Sequence, residues 1–192
     1  MTDITSFDDC LKEVLDKAGK IDILVNNAGV LGGGISRCTE QEYDTILSTN
    51  LKGVFFLSQK VAHYMRDNHI EGNILNIASS SSLRPANSAY TLSKWGIRGL
   101  TMGLARTLAP YGIVVNGIAP GPTATPMIMS DSHADNYYLP RSLAGRYAMP
   151  CEIANMAVVL VSNMGRMIIG DIVYMTGGAG IINNEDVDYS FD

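Results

Sequence analysis

Apolar residues at Phe7, Cys10, Leu11, Val14, Leu15 and Ala18 recur three and four positions apart, the spacing of one helical face. Ser6 in front of them, with Asp9 three residues on, predicts an N-cap, and Gly19 behind them predicts a stop. Ile21 to Val25 is a short apolar run and predicts a strand buried on both faces, as in a parallel sheet. Thr39 and Glu42 form a capping-box pattern that opens a helical stretch to about Asp67, with an irregularity around Asn50 to Gly53. A strand over about Asn73 to Ile77, a helix over about Ser88 to Tyr111 and a strand over Gly112 to Ile118 follow. A helix from Pro150 to Asn163, with proline at its start, and a last strand from Asp171 to Met175 complete the pattern.

Strand and helix patterns alternate without a Pro/Gly/Ser linker or a repeat, so the expectation is one α/β domain over residues 1–192 built on a parallel sheet. The exception is the irregular stretch from Pro120 to Met149, which carries Met127, Met129, Tyr137, Tyr138 and Leu139. Loops of that length are often lids or substrate walls. With 46% apolar residues, a chain of 192 can bury a sizeable core.

Charge and cysteine usage narrow the function. The net charge is -5, and Lys and Arg are scattered rather than clustered, which argues against a nucleic-acid or anionic-membrane surface. Cys10, Cys38 and Cys151 are odd in number, widely spaced and free of any Cys-x-x-Cys pair, as expected of reduced thiols in a cytoplasmic protein. His63, His69 and His133 lack metal-site spacing and are expected to be surface or structural residues, so no metal is predicted. No apolar run approaches the ~18 residues of a membrane span.

The candidate chemistry centres on Tyr90 and Lys94. Four residues apart at the start of a helix, they project from one face and can act on one bound molecule. A tyrosine with a pKa of about 10 is a poor acid or base at neutral pH, but a cation within about 4 to 6 Å lowers that value by roughly 1 to 3 units. The expectation is that Lys94 brings Tyr90 into working range as a proton carrier.

The company this pair keeps carries a resemblance. Asn26-Asn27-Ala28-Gly29 follows the first strand, Asn50 stands in Thr49-Asn50-Leu51-Lys52-Gly53, and Asn76-Ile77-Ala78-Ser79 closes a strand ahead of the serines to Ser82. Tyr90-Thr91-Leu92-Ser93-Lys94 and Pro120-Gly121 complete the series. In this order they resemble the short-chain dehydrogenase/reductase family, over nearly the whole chain from about Thr2 to Gly178. The resemblance implies a Rossmann-like doubly wound parallel sheet and reversible oxidation of an alcohol to a ketone with NAD or NADP. Tyr90 matches the family's general acid and base, and Lys94 the residue that lowers its pKa and hydrogen-bonds the nicotinamide ribose. Ser79 matches the serine that hydrogen-bonds the substrate oxygen, with Ser80 or Ser81 able to slide into that role, and Asn50 matches the asparagine whose backbone holds a water in the proton relay. Asn26, Ala28 and Gly29 match the segment beside the cofactor. Pro120-Gly121-x-x-x-Thr125 matches the loop at the nicotinamide end, with Thr123 where the family usually has an aliphatic residue. Thr176-Gly177-Gly178 resembles a structural motif that more often reads Asp-Gly-Gly.

The same comparison shows a departure. The family holds its dinucleotide on a glycine-rich turn after the first strand, and no Gly-x-Gly-x-x-Gly occurs here: Gly32-Gly33-Gly34 leads to Arg37 and Gly178-Ala179-Gly180 to Asn183. Met1-Thr2-Asp3 resembles the end of the family's third strand, so the expectation is a catalytic half without the first three strands. The alternative is a catalytically incompetent fragment, or a binding or oligomerising module. Gly96, Gly99 and Gly103 each cost the long helix roughly 1 kcal/mol relative to alanine. Two explanations stand: close packing against the sheet of the same subunit, or the helix pairing that the resemblance implies in homodimers and homotetramers. The resemblance implies a small-molecule alcohol or carbonyl substrate, and the loop from Pro122 to Met149 fixes a shape without identifying it.

Overall fold

The computed structural model describes residues 2–129 and 137–180; His133 lies outside the described residues. Four parallel strands, β1 (Ile23–Asn26), β2 (Asn73–Ile77), β3 (Val114–Pro120) and β4 (Ile172–Met175), lie side by side in chain order. Val25 stands beside Leu75, Leu75 beside Asn116, and Ile118 beside Val173. Between and before them run α1 (Phe7–Ala18), α2 (Glu40–Leu47), α3 (Gly53–Asp67), α4 (Ala89–Leu108) and α5 (Pro150–Val161).

Strand side chains alternate between the two faces of the sheet. On one face Ile74 and Val115 meet Val61, Ala62 and Met65 of α3 and Ala105 and Leu108 of α4. On the other, Leu75 and Ile118 meet Leu160 of α5, with Ile153 and Met156 packed beside it. Polar side chains also lie inside. Asn26 Nδ2 donates to Ser58 Oγ at 2.9 Å and to Asn76 Oδ1 at 2.8 Å, and Asn76 Nδ2 donates to Thr101 Oγ1 at 2.9 Å. This chain of bonds fastens the ends of β1 and β2 to α3 and α4, since breaking it would leave buried polar groups unpaired.

Several local expectations change in the structure. Ser6 is helical and makes no capping bond; its hydroxyl donates to Asp3 O at 3.0 Å instead. Gly19 does end α1, at φ 78°. Thr39 Oγ1 accepts from Glu42 N at 3.2 Å, but the Glu42 carboxylate reaches Gly33 N at 2.7 Å rather than closing the capping box. The irregularity near Asn50 is a π-helical turn, Ser48–Lys52, joining α2 to α3. β1 is not buried on both faces: Ile23 is 44% and Val25 47% exposed, because β1 is the edge strand of the described sheet and the apolar cluster around α5 is built on β2, β3 and β4. The glycines of α4 divide. A Cβ on Gly96 would come 2.8 Å from Leu51 Cδ2, whereas Gly99 and Gly103 face open space. Packing within the subunit therefore accounts for Gly96 alone.

Met65 is fully buried between α1, α4 and the sheet. Met65→Ala is expected to lower unfolding stability by about 2–5 kcal/mol, measured by denaturant unfolding. A loss below ~1 kcal/mol would contradict this core.

Candidate active site

The carboxyl ends of β1, β2 and β3 open into one cleft of about 560 Å³, the position where open α/β sheets take their ligands. Asn27 and Gly29 follow β1, Ile77 to Ser81 close and follow β2, Pro120 to Thr123 close and follow β3, and Tyr90 and Lys94 enter from the first turns of α4.

The helix start fixes the pair. Ser88 is extended, and its hydroxyl accepts from Thr91 N at 3.1 Å, an N-cap that begins α4 two residues before Tyr90. The ascending loop is tied to the same point: Ala89 N donates to Gly33 O at 2.9 Å, and Gly33, at φ 71°, leaves no room for a Cβ beside Ala89. Lys94 lies one turn on and is only 5% exposed. Its ammonium donates to Ile77 O, the last carbonyl of β2, at 2.7 Å and sits 5.7 Å from the centre of the Tyr90 ring. Burial pushes the Lys94 ammonium down to about 8.

Tyr90 departs from expectation. Burial raises its phenol above the ordinary value, and a side-chain hydrogen bond with Ser79 offsets part of that rise. Desolvation outweighs the nearby Lys94 cation, whose ammonium is directed at Ile77 O and is itself buried. Helical spacing brings the two groups to one cleft without fixing the sign of the shift. Of the serines, Ser79 is the one whose hydroxyl lowers the Tyr90 value, and it accepts from Ser81 N at 3.1 Å. Ser80 and Ser81 line the cleft as well, whereas Ser82 turns inward to Ser79 O at 2.8 Å and to Tyr174.

Asn50 does not line the cleft; it braces it. Its Oδ1 accepts from Val30 N at 2.8 Å, and its Nδ2 donates to Val30 O at 2.9 Å and Ser93 Oγ at 3.1 Å. It thereby joins the π-turn, the loop after β1 and α4. Gly29 lies against this junction: a Cβ there would stand 3.4 Å from Asn50 Oδ1 and 3.7 Å from Lys94 Nζ. Asn26 points into the protein and Ala28 to solvent; Asn27, which the sequence did not single out, lines the cleft in their place. Pro120, Gly121, Thr123 and Thr125 all line it. Thr123 Oγ1 donates to Gly121 O at 3.0 Å, and a Cβ on Gly121 would come 2.8 Å from Thr176 Cα. The Thr176-Gly177-Gly178 turn thus backs the Pro120 loop. Arg84 and Arg141 also line the cleft, in segments that no motif marked.

The family described as enoyl-(acyl carrier protein) reductase matches residues 1–180. The chain is 36% identical over 177 residues to (2S)-[(R)-hydroxy(phenyl)methyl]succinyl-CoA dehydrogenase subunit BbsD of Thauera aromatica, covering 91% of this chain and 71% of that protein. A short chain dehydrogenase from Burkholderia cenocepacia J2315 in complex with NADP superposes with a TM-score of 0.81 at 33% identity, over 93% of this chain and 73% of that one. The 3-ketoacyl-(acyl-carrier-protein) reductase from Brucella melitensis complexed with NADH gives 0.84 at 29% identity, over 94% and 76%. The chain belongs to the short-chain dehydrogenase/reductase family, NAD(P)-dependent oxidoreductases on a Rossmann-like parallel sheet.

The depressed Lys94 value has a definite sign. Its folded value lies below the ordinary lysine value of 10.5, so the cost of burying the charge is fully present below pH 8 and is relieved as pH rises from about 8 toward 10.5. NMR titration of the lysine side chains, assigned with Lys94→Arg, is expected to show one midpoint near 8. A Lys94 midpoint near 10.5 would contradict the buried ammonium.

Proposed function

We propose that the chain is the catalytic part, in one domain, of a reversible alcohol/ketone oxidoreductase working with NAD or NADP, with Tyr90 as general acid and base. The observation that carries this reading is that Ser79, Tyr90 and the buried Lys94 converge on one cleft at the carboxyl ends of the strands. The cleft lining suits the nicotinamide end of a dinucleotide, because Gly29 and Gly121 present backbone without side chains on the cleft that Tyr90 and Lys94 also line. Asn27, Gly29, Lys94, Pro120, Gly121, Thr123 and Thr125 would hold it. When bound, the nicotinamide supplies or accepts the hydride.

The roles of the chain's own groups follow from their protonation. Burial keeps the Tyr90 phenol protonated at neutral pH, the form that gives a proton to a carbonyl oxygen as hydride reaches the carbon. Ser79 donates to that same oxygen, where negative charge grows in the transition state. Lys94, with a value of about 8, is cationic at neutral pH and favours the phenolate left behind. Asn50 positions Lys94 and the loop after β1 and supports a water relay through its backbone.

One observation favours a second reading, a binding or oligomerising module without activity: the exposed edge of β1 leaves Ile23 and Val25 half-open and one side of the cleft unwalled. Gly99, Gly103 and Met102, which is 55% exposed, form a small-residue face on α4 with nothing packed on it among the described residues. That face supports a homodimer or homotetramer. Three free cysteines, Cys10 and Cys151 exposed, suit a reducing cytoplasm.

Tyr90→Phe is expected to lower NAD(P)H-dependent carbonyl reduction by roughly 10²- to 10⁴-fold, followed by nicotinamide absorbance; unchanged activity removes Tyr90 from the chemistry. In the unaltered chain, kcat/KM for reduction should hold below pH 8 and fall above it as Lys94 loses its charge. No reduction at any cofactor concentration by folded chain would favour the second reading. Gly103→Arg should convert an oligomer to monomer in sedimentation; the same assembly state before and after would place any interface elsewhere.

A further inference from the structure

The described residues lining the cleft include three charged side chains, Lys94, Arg84 and Arg141, all cationic. This is a local excess on a chain with 19 acidic residues against 14 basic ones. Lys94 is committed to Ile77 O. Arg84 has no such commitment: its guanidinium makes no ion pair among the described residues. Its backbone, by contrast, is held at both ends. Arg84 N donates to Ser81 O at 3.1 Å, and Trp95 Nε1 of α4 donates to Arg84 O at 2.9 Å. The guanidinium packs against Gly180, where an added Cβ would stand 3.0 Å from Arg84 Cζ. Gly180, at φ 70°, is a residue whose missing side chain makes room for it. The same cleft is also lined by the apolar side chains of Leu31, Met127, Ile128 and Ile153.

A planar fork of donors with a fixed stem, facing a cleft with apolar walls, suits one kind of ligand group. Guanidinium donors match the paired oxygens of a carboxylate or phosphate, and such charge-assisted pairs are stronger than neutral hydrogen bonds. We propose that Arg84, with Arg141 on the same cleft, makes this site selective for carbonyl substrates that carry an oxyanion, a carboxylate or a phosphate, at the end away from the reacting carbon. The inference rests on the oxidoreductase reading for the word substrate, but not for the binding of the anion. Arg84 is a specificity residue and takes no part in proton or hydride transfer.

Saturation-transfer NMR on the full chain reads binding without turnover, using acetoacetate, methyl acetoacetate and dihydroxyacetone phosphate as probes. The acid or the phosphate is expected to bind roughly 10- to 100-fold tighter than the neutral ester, and whichever does so identifies the anion. Arg84→Met should abolish that preference while leaving the ester unchanged, and Arg84→Lys should keep only part of it, because the charge remains and the fork is lost. Equal binding of all three probes, or a preference that survives Arg84→Met, overturns the proposal. Tyr90→Phe should keep the preference while losing turnover. Turnover that survives Tyr90→Phe would defeat the proton role and leave the anion site standing.

Discussion

The burial of the Lys94 ammonium is the constraint around which the rest of the site is arranged. A cation taken from water costs several kcal/mol unless its donors are satisfied, and Lys94 donates to the Ile77 carbonyl at the end of β2. That bond requires α4 to start beside the carboxyl end of the sheet. The Ser88 cap, the seating of Ala89 under Gly33 and the close approach of Gly96 to Leu51 together put it there. Asn50 then serves as the keystone between three segments that have no regular pairing with one another. The π-turn allows this, since the extra residue swings Asn50 inward between the loop after β1 and α4.

The same geometry explains how the site divides its labour. One face of the sheet packs against α3 and α4 and fixes Tyr90 and Lys94, and the loops after β1 and β3 supply glycines at which a planar ligand can lie against backbone. Beyond β3 the chain returns through Arg141 and α5. There Arg146 pairs with Glu152, whose carboxylate also accepts from Met149 N at 2.7 Å, anchoring the far wall that carries Pro150 and Ile153. Tyr90 and Lys94 thus sit on a regular helix, while Arg84 and Arg141, proposed to select a substrate, sit on loops.

Much of this arrangement was legible in the sequence because it rests on local rules. The apolar period marked α1 and β2 to the residue, and the breaker pattern at Asn50 to Gly53 marked the π-turn region. Four-residue spacing placed Tyr90 and Lys94 in one cleft. Other features depend on the surroundings rather than on spacing. The Tyr90 shift has the opposite sign to expectation because desolvation outweighs a cation whose donor is directed elsewhere. Whether Asn26 or Asn27 meets the cleft depends on which face of β1 is inward at its last residue. Arg84 carries no motif, and its one signal was position, a cation in the loop between the serine run and Tyr90.

The central physical claim is that burial and Ser79 set the proton affinity of Tyr90 in opposite directions. The direct test is ¹³C NMR titration of the tyrosine ring carbons, with Tyr90→Phe for assignment, in the unaltered chain and in Ser79→Ala. The Tyr90 midpoint is expected above the ordinary value of 10 and higher still without the Ser79 hydroxyl. A midpoint at or below 10 that does not move in Ser79→Ala would contradict the account.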